Sequence, residues 1–291
     1  MLVVLSHVII PAVCGAVDKP VAVLLSQEIP PYIQMLEGFE NNFQNYAVQR
    51  FFLDKNGKPY SLAASVSAAG FRARDYTALV AIGPQALTTF LPYAGEAPLL
   101  YGLVLNPERL LPPEGAAVCG VSLYLQPEEQ FLAIRAYLPD LSRLGVIYDP
   151  NNNQDWFDTA AAVASRLGFT LSPFRVARLS GQLKMIGDWE QTDALLFIPD
   201  RTIVAKSVIQ YLIKQALLQR KPVIGYNQFF LDSGAAFSFI FDYARIGAQV
   251  ADLTQTQLNS GDCPRSISAY ELRYNNDVLN IINSLENEEV P

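Results

Sequence analysis

The chain has 291 residues, 51% hydrophobic and 17% charged, enough for two globular domains that each bury a core. Its 21 basic and 28 acidic residues give a net charge of −7, and no segment is rich in Lys or Arg, so a nucleic-acid surface is not expected. The only histidine is His7 and the cysteines (Cys14, Cys119, Cys263) are far apart, which argues against His-based catalysis, metal sites and CxxC pairs. Glycine-rich phosphate loops are also missing. No catalytic residue, metal or cofactor is expected.

From Leu2 to Val17 the chain is apolar apart from Ser6 and His7, and ends in the small residues Cys14-Gly15-Ala16. This reads as a secretory signal peptide over residues 1–17, although no basic residue precedes the apolar run. At about sixteen residues the run is shorter than the roughly twenty needed to cross a bilayer. The mature chain is therefore expected in the periplasm, with lipid attachment at Cys14 as the alternative. Export would allow Cys119 and Cys263 to pair, and two free buried thiols are the other reading.

In chain order, Val21–Leu25 is a buried strand, followed by the turn at Ser26-Gln27 and a helix from Tyr32 to Tyr46 with Met35, Leu36, Phe39 and Phe43 on one face. Val48–Leu53 is a second strand and Tyr60–Phe71 a second helix. Leu79–Ile82 is a third strand with a helix from Pro84 to Leu91, and Leu99–Val104 a fourth. After Cys119-Gly120-Val121-Ser122 a helix runs from Pro127 to Leu138. Then come the strand Leu144–Tyr148, a turn from Asp149 to Asn153, and a helix from Trp156 to Leu167. Strands at Thr170–Val176 and Ala194–Ile198, a helix from Ile203 to Leu218, and strands at Val223–Tyr226 and Ala235–Phe241 follow. A helix from Ala244 to Asn259, an extended segment from Ser266 to Tyr274 and a helix from Asp277 to Leu285 complete the chain.

One passage occurs twice. Ala78 to Leu87 and Ala194 to Ile203 are each an apolar run, a Pro-containing turn and a helical pattern, and each is followed by Pro and another apolar run, at Leu99 and at Val223. Continuous apolar runs mark strands buried on both faces of a parallel sheet. The expected fold is therefore α/β, with two Rossmann-like lobes of parallel sheet joined by a multi-strand hinge. The first lobe is expected to take residues 18–121 and 235–260, the second 122–234 and 265–285. Crossings are expected near Gly120-Val121-Ser122, Phe230–Gly234 and Asp262–Arg265. Ligands of such sheets sit at the carboxyl ends of the strands, which here would face one another across a cleft.

The order of Val21–Ser26, Ala81–Leu87, Gly120–Ser122, Leu138-Pro139 before Leu144–Pro150, Pro222–Gly225, Asp242-Tyr243 and Ile246-Gly247 resembles that of ABC-transporter substrate-binding proteins. The branch is the one with the type I periplasmic-binding fold that includes tryptophan- and tyrosine-binding members, and the resemblance covers nearly all of residues 20–285. It implies an exported monomer that binds a small organic molecule and passes it to a membrane ABC permease. Amino-acid-binding members often carry Thr-Pro where this chain has Gly83-Pro84, and a Tyr-Asn turn where it has Tyr148-Asp149. The fold carries over better than the ligand does.

Independently of that likeness, Gly83-Pro84-Gln85-Ala86 starts a helix at a strand end, where free N–H groups of Gln85 and Ala86 would suit a carboxylate. In the facing turn Asp200, a good N-cap, would repel a second anion and suit an ammonium, with Asp242 helping. Together these describe an amino acid. The alternative is that Asp200 only caps and Asp242 only starts a helix. Tyr32, Tyr101, Tyr148, Tyr226, Phe229, Phe230 and Tyr243 crowd the same turns and would suit a flat ligand, although each taken singly is better explained by packing. Ser26, Gln27, Asn151 and Asn227 complete the ligand-facing set, and Asn151, Asn152, Asn153 and Asn227 are each either polar contacts or turn residues. Two other readings stay open, a ligand-sensing subunit for a membrane receptor and a carboxylate-only enzyme using Asp200 with Asp242.

Overall fold

The computed structural model describes residues 19–53, 59–60, 71–111, 118–123, 125–179, 182–186, 191–200, 202–203 and 205–286. The expected signal peptide, Cys14 and nearly all of the helix expected over 60–71 lie outside the described residues. The first lobe contains β1 (Val21–Leu25), α1 (Pro30–Asn42), β2 (Val48–Leu53), β3 (Pro59–Tyr60), β4 (Ala78–Ile82), α2 (Pro84–Phe90), β5 (Leu99–Val104) and β6 (Val118–Ser122). Together with β13 (Arg265–Ile267) these strands form a seven-stranded sheet ordered β13-β6-β5-β4-β1-β2-β3, parallel except for β3. Tyr60 thus belongs to an edge strand and not to a helix.

The second lobe contains α3 (Pro127–Tyr137), β7 (Arg143–Tyr148), α4 (Pro150–Arg166), β8 (Thr170–Leu179), β9 (Gln182–Ile186), β10 (Ala194–Phe197), α5 (Lys206–Leu218), β11 (Val223–Gly225), α6 (Gln228–Asp232) and β12 (Phe237–Phe241). With β14 (Tyr270–Tyr274) they make a second seven-stranded sheet, β14-β12-β11-β10-β7-β8-β9, whose two edge strands are antiparallel. α8 (Asn276–Glu286) follows β14, and α7 (Tyr243–Ser260) packs on the first lobe.

Alternation explains why the inner strands are apolar throughout. Val21, Val23 and Leu25 of β1 face the core under α1 and α7, while Ala22 and Leu24 face the core under α2. The first of these cores continues through Val121, Leu125, Phe239 and Phe241 into the second lobe, where Leu144, Val146 and Leu196 meet α3 and α4. Ile147, Leu195 and Phe197 face the opposite side, towards α5 and α6.

The chain divides between the sheets differently from expectation. Residues 235–260 do not all join the first lobe, since β12 pairs with β11 in the second sheet. The short helix α6, closed by Gly234 at φ 105° and by the Ala235 N–H to Phe230 carbonyl bond, returns the chain directly to that sheet. The crossing falls instead at Asp242. Nor is 266–274 one segment, because β13 belongs to the first sheet and β14 to the second. No Gly or Pro marks this break. Side chains stabilise it: Ser268 donates to the Ser122 carbonyl at 2.5 Å, and Gln249 serves both the Ile267 carbonyl and the Ala269 N–H. The Asp242 N–H donates to the Ala269 carbonyl, so the three crossings are bonded to one another.

Two devices hold the returning segment. Cys119 of β6 and Cys263 form a disulfide, with Cα atoms 4.9 Å apart, which settles their pairing and fixes the approach to β13. The other is the crossing of α1 and α7, where the backbones touch. A Cβ on Gly247 would lie 2.1 Å from the Met35 carbonyl oxygen, and one on Gly38 2.0 Å from that of Ala244. Neither neighbour is a side chain that could swing aside. Gly247→Ala is expected to cost about 1–3 kcal/mol through overpacking. Urea denaturation measures it, and a loss below about 0.5 kcal/mol, the size of an ordinary surface change, would show that the helices separate freely.

Candidate functional site

A cleft of about 450 Å³ lies beyond the carboxyl ends of β5 and β6, against the first turns of α4, the helix that follows β7. The first lobe contributes Asn106–Arg109, Ser122 and Arg265–Ile267, and the facing wall is α4, through Asn152, Asp155, Trp156 and Thr159. A larger groove of about 530 Å³ lies beside α3, α7 and Ile267–Tyr270. The smaller cleft is the stronger candidate, because ligands of open parallel sheets bind beyond the strand ends.

Local backbone structure builds the first wall. The register of β5 against β6 shifts between Gly102 and Val104, a bulge in which Leu103 takes φ 54°. Asn106 is also left-handed, at φ 52°, and leads into a single 3-10 turn over Pro107–Arg109. Bulges re-aim the chain, and positive φ at a non-glycine residue is strained backbone of the kind found at binding sites. Here it places Glu108 and Arg109 on the cleft. Arg109 spans it, donating to the Asn151 carbonyl at 3.3 Å and standing 3.6 Å from Asp155. Both charges are solvent-exposed, so this pair is a weak link between the lobes.

The second wall is a hydrogen-bonded knot. Asp149 is the N-cap of α4, accepting from the Asn151 N–H, and Pro150 occupies the first helical position. The helix thus begins six residues before the Trp156 start expected. Asp149 also accepts from the Thr202 hydroxyl at 2.5 Å. Asp200 accepts from the Asp149 N–H (2.8 Å), the Asn153 side-chain amide (2.6 Å) and the Thr202 N–H (2.8 Å). It does not cap a helix, since α5 starts at Lys206 after Ala205. Asn152 and Asn153 face this knot, whereas Asn151 is exposed.

The expected site residues fall into two groups. Gln27, Pro84, Gln85, Asn151, Tyr226, Asn227 and Asp242 keep exposed surface, while Ser26, Gly83, Ala86, Tyr101, Tyr148 and Asp200 are buried, and none of them lines this cleft. Of the two N–H groups expected to hold an anion at the start of α2, that of Ala86 donates instead to the Ser26 hydroxyl at 2.8 Å. Gly83 sits at φ 91° with the Tyr32 ring against its α-carbon, leaving no room for a side chain. Tyr101 fills the space above Gly120 and reaches Ser122 with its hydroxyl at 3.3 Å. Tyr148 stacks on Phe157 at 4.7 Å, Phe230 is core, and Phe229 lies under Lys206. Asp242 is the N-cap of α7, bonded to the Arg245 N–H.

Burial, then the charge of Asp200 and the neighbouring Tyr243, push the Tyr226 phenol up to about 12, and burial also raises Tyr243. Both phenols therefore keep their protons at neutral pH. Glu108, Arg109, Trp156 and Arg265 were not expected on the cleft. The Asp149-Pro150 helix start was readable and would have put Trp156 within the helix, but the β5 bulge has no sequence signal.

A family profile described as ABC transporter substrate binding protein matches residues 98–290. The chain belongs to this family. Solved structures of similar fold include the ligand-free, open form of CD0873 from Clostridium difficile, a substrate-binding protein with adhesive properties (17% identity, 91% of this chain and 95% of that one, TM-score 0.71). A conserved domain protein from Vibrio cholerae matches at 20% identity over 91% and 95% of the two chains, with a TM-score of 0.60. An ABC domain from Streptococcus pneumonia in complex with L-Trp matches at 16% identity over 90% and 94%, also at 0.60. At these identities the likeness is one of fold, that of the type I periplasmic binding proteins. No curated protein matches the chain significantly. Among the described residues of this substrate-binding protein no helix is long and apolar enough to cross a membrane, and no cluster of His, Cys, Asp or Glu could hold a metal ion.

Asp200→Asn should cost about 1–3 kcal/mol in chemical denaturation, because both carboxylate oxygens face donors and an amide would turn its NH2 towards one of them. A stability equal to that of the parent would mean that the knot contributes little. The raised Tyr226 phenol sets an alkaline limit, since the folded state holds its proton more tightly than the unfolded chain. That contribution is complete below pH 10 and lost towards pH 12. Tyr226→Phe should flatten the fall in melting temperature over this window.

Proposed function

We propose that the chain is the extracytoplasmic solute-binding component of an ABC import system, closing on a small organic ligand and presenting it to a membrane permease. The observation that carries this reading is the cleft of about 450 Å³ between two hinged lobes, in a chain of this family. Its size suits a small metabolite. An amino acid, aromatic ones included, is the favoured ligand class: the cleft wall combines Trp156 with cations, anions and neutral hydrogen-bonding groups. The structure in complex with L-Trp shows that the fold accommodates such a ligand in another protein.

Gln27, Pro84, Gln85, Asn151, Tyr226, Asn227 and Asp242 are proposed as contacts made when the lobes close, supported by the surface they keep exposed. Ser26, Gly83 and Ala86 would act by shaping the first lobe, and Tyr101 and Tyr148 by packing beneath the walls. The protein is proposed to act as a monomer in the periplasm and to perform no chemistry. The disulfide supports the location, because such bonds persist in oxidising compartments.

A ligand that binds only the folded protein raises its melting temperature, by about 2.7 kcal/mol of added stability at a hundred times its dissociation constant. A thermal-shift screen over amino acids, short peptides and small carboxylates is expected to give at least one clear hit. A screen without any shift would sink the binding-protein reading.

A further inference from the structure

Two charged side chains of the cleft are used by nothing else. Glu108 and Arg265 both line it, and neither has a hydrogen-bond or ion-pair partner among the described residues. They are brought together from distant parts of the chain. β13 pairs in parallel with β6, Arg265 opposite Gly120, while Gly120 lies beside Tyr101 of β5 on its other edge. Glu108 comes from the turn that the β5 bulge re-aims.

Both act on the same hydroxyl. Burial pushes the Tyr101 phenol up, its bond to Ser122 and the Arg265 guanidinium pull it back, and the Glu108 carboxylate raises it again. A free cation and a free anion, both lining the cleft, thus stand within electrostatic reach of one buried hydroxyl behind its wall without joining in an ion pair. Beside them the Ser266 hydroxyl oxygen is buried and unpartnered. Trp156, half-buried, lies on the facing wall.

We propose that Arg265 and Glu108 form a subsite for the carboxylate and the ammonium of a free α-amino acid, whose apolar side chain lies against Trp156. This rests on the binding-protein reading and names its ligand-orienting charges. A simple carboxylic acid would leave Glu108 unmatched, and a simple amine would leave Arg265 unmatched. Only a ligand carrying both charges close together answers both, and mismatched charge is an effective way to reject near relatives. The subsite takes over the role expected of the Ala86 N–H and Asp200, which are already engaged.

The test is calorimetry with L-tryptophan, L-tyrosine, L-leucine, tryptamine and indole-3-propionate. The parent should bind at least one of the three amino acids, and each analogue lacking one charge should bind at least about tenfold more weakly than L-tryptophan. Glu108→Gln and Arg265→Gln should each weaken the bound amino acid by at least about tenfold. Both are exposed, so their melting temperatures should match the parent's, and Arg166→Gln, at the far end of α4, should leave affinity unchanged. Affinity within about twofold of the parent in either variant overturns the subsite while leaving the binding-protein reading intact. So does a parent that ignores all three amino acids yet responds to another compound in the thermal-shift screen. A parent that responds to nothing overturns both.

Discussion

The return of α7 to the first lobe is the constraint on which the rest of the molecule depends. Having completed β12 in the second sheet, the chain must bring a helix of 18 residues back against α1. It does so with backbone in contact with backbone at Gly38 and Gly247. At that approach a methyl group in either position would force the helices apart. The position of α7 then fixes where its C-terminal cap, Gly261, releases the chain, and the disulfide to Cys119 holds the next two residues beside β6. β13 has no other course than along β6. Arg265 faces the cleft because of packing at Gly247, on the far side of the helix cap and the disulfide.

The same return creates the hinge. Two crossings would leave the lobes swinging about a loose pair of strands, whereas a third, bonded to both others, limits the motion. Ser268 to Ser122, Asp242 to Ala269 and the Gln249 clamp are short-range bonds between segments far apart in sequence. The core shared by Val121, Leu125, Phe239 and Phe241 runs through them, so the hinge is packed as well as bonded. By contrast the lobes meet across the cleft at exposed Arg109, whose links to Asn151 and Asp155 are easily exchanged for water. A stiff hinge and a weak closing contact suit a protein whose closure is to be decided by a ligand. A ligand shifts such an equilibrium only by what it gains in the closed form.

Much of this architecture was legible in the sequence, and the failures have a common cause. Apolar runs such as Val21–Leu25 and Ala78–Ile82 could be read as doubly buried strands because every residue in them is apolar, whichever face it meets. The twice-used strand-turn-helix pattern was enough to show two lobes. What could not be read was the sheet to which a strand belongs. β12 looks the same in either lobe, and the switch between β13 and β14 rests on Ser268 and Gln249, whose roles depend on partners 146 and 18–20 residues away. At the site, periodicity and cap rules found the turns, but residue type alone could not separate a carboxylate that organises its own loop from one left free. Asp200 and Glu108 are both acids beside strand ends. One is surrounded by donors and the other has none.

That difference is also the logic of the cleft. Asp149 and Asp200 are buried close to each other, and uncharged donors, the N–H groups of Asp149, Asn151 and Thr202 with the amides of Asn152 and Asn153, absorb their charge. Satisfied in this way, they give the second wall a fixed shape and little remaining attraction for a cation. A carboxylate already holding three strong hydrogen bonds gains less from a ligand than one facing only water, because each bond to the ligand must replace an equivalent one. On the first wall the strained turn after β5 and the edge strand β13 present Glu108 and Arg265 with no such internal partners. Charge is therefore divided between the lobes by use: Asp149 and Asp200 of the second lobe fix the start of α4, and the first lobe keeps a pair of opposite charges for whatever enters.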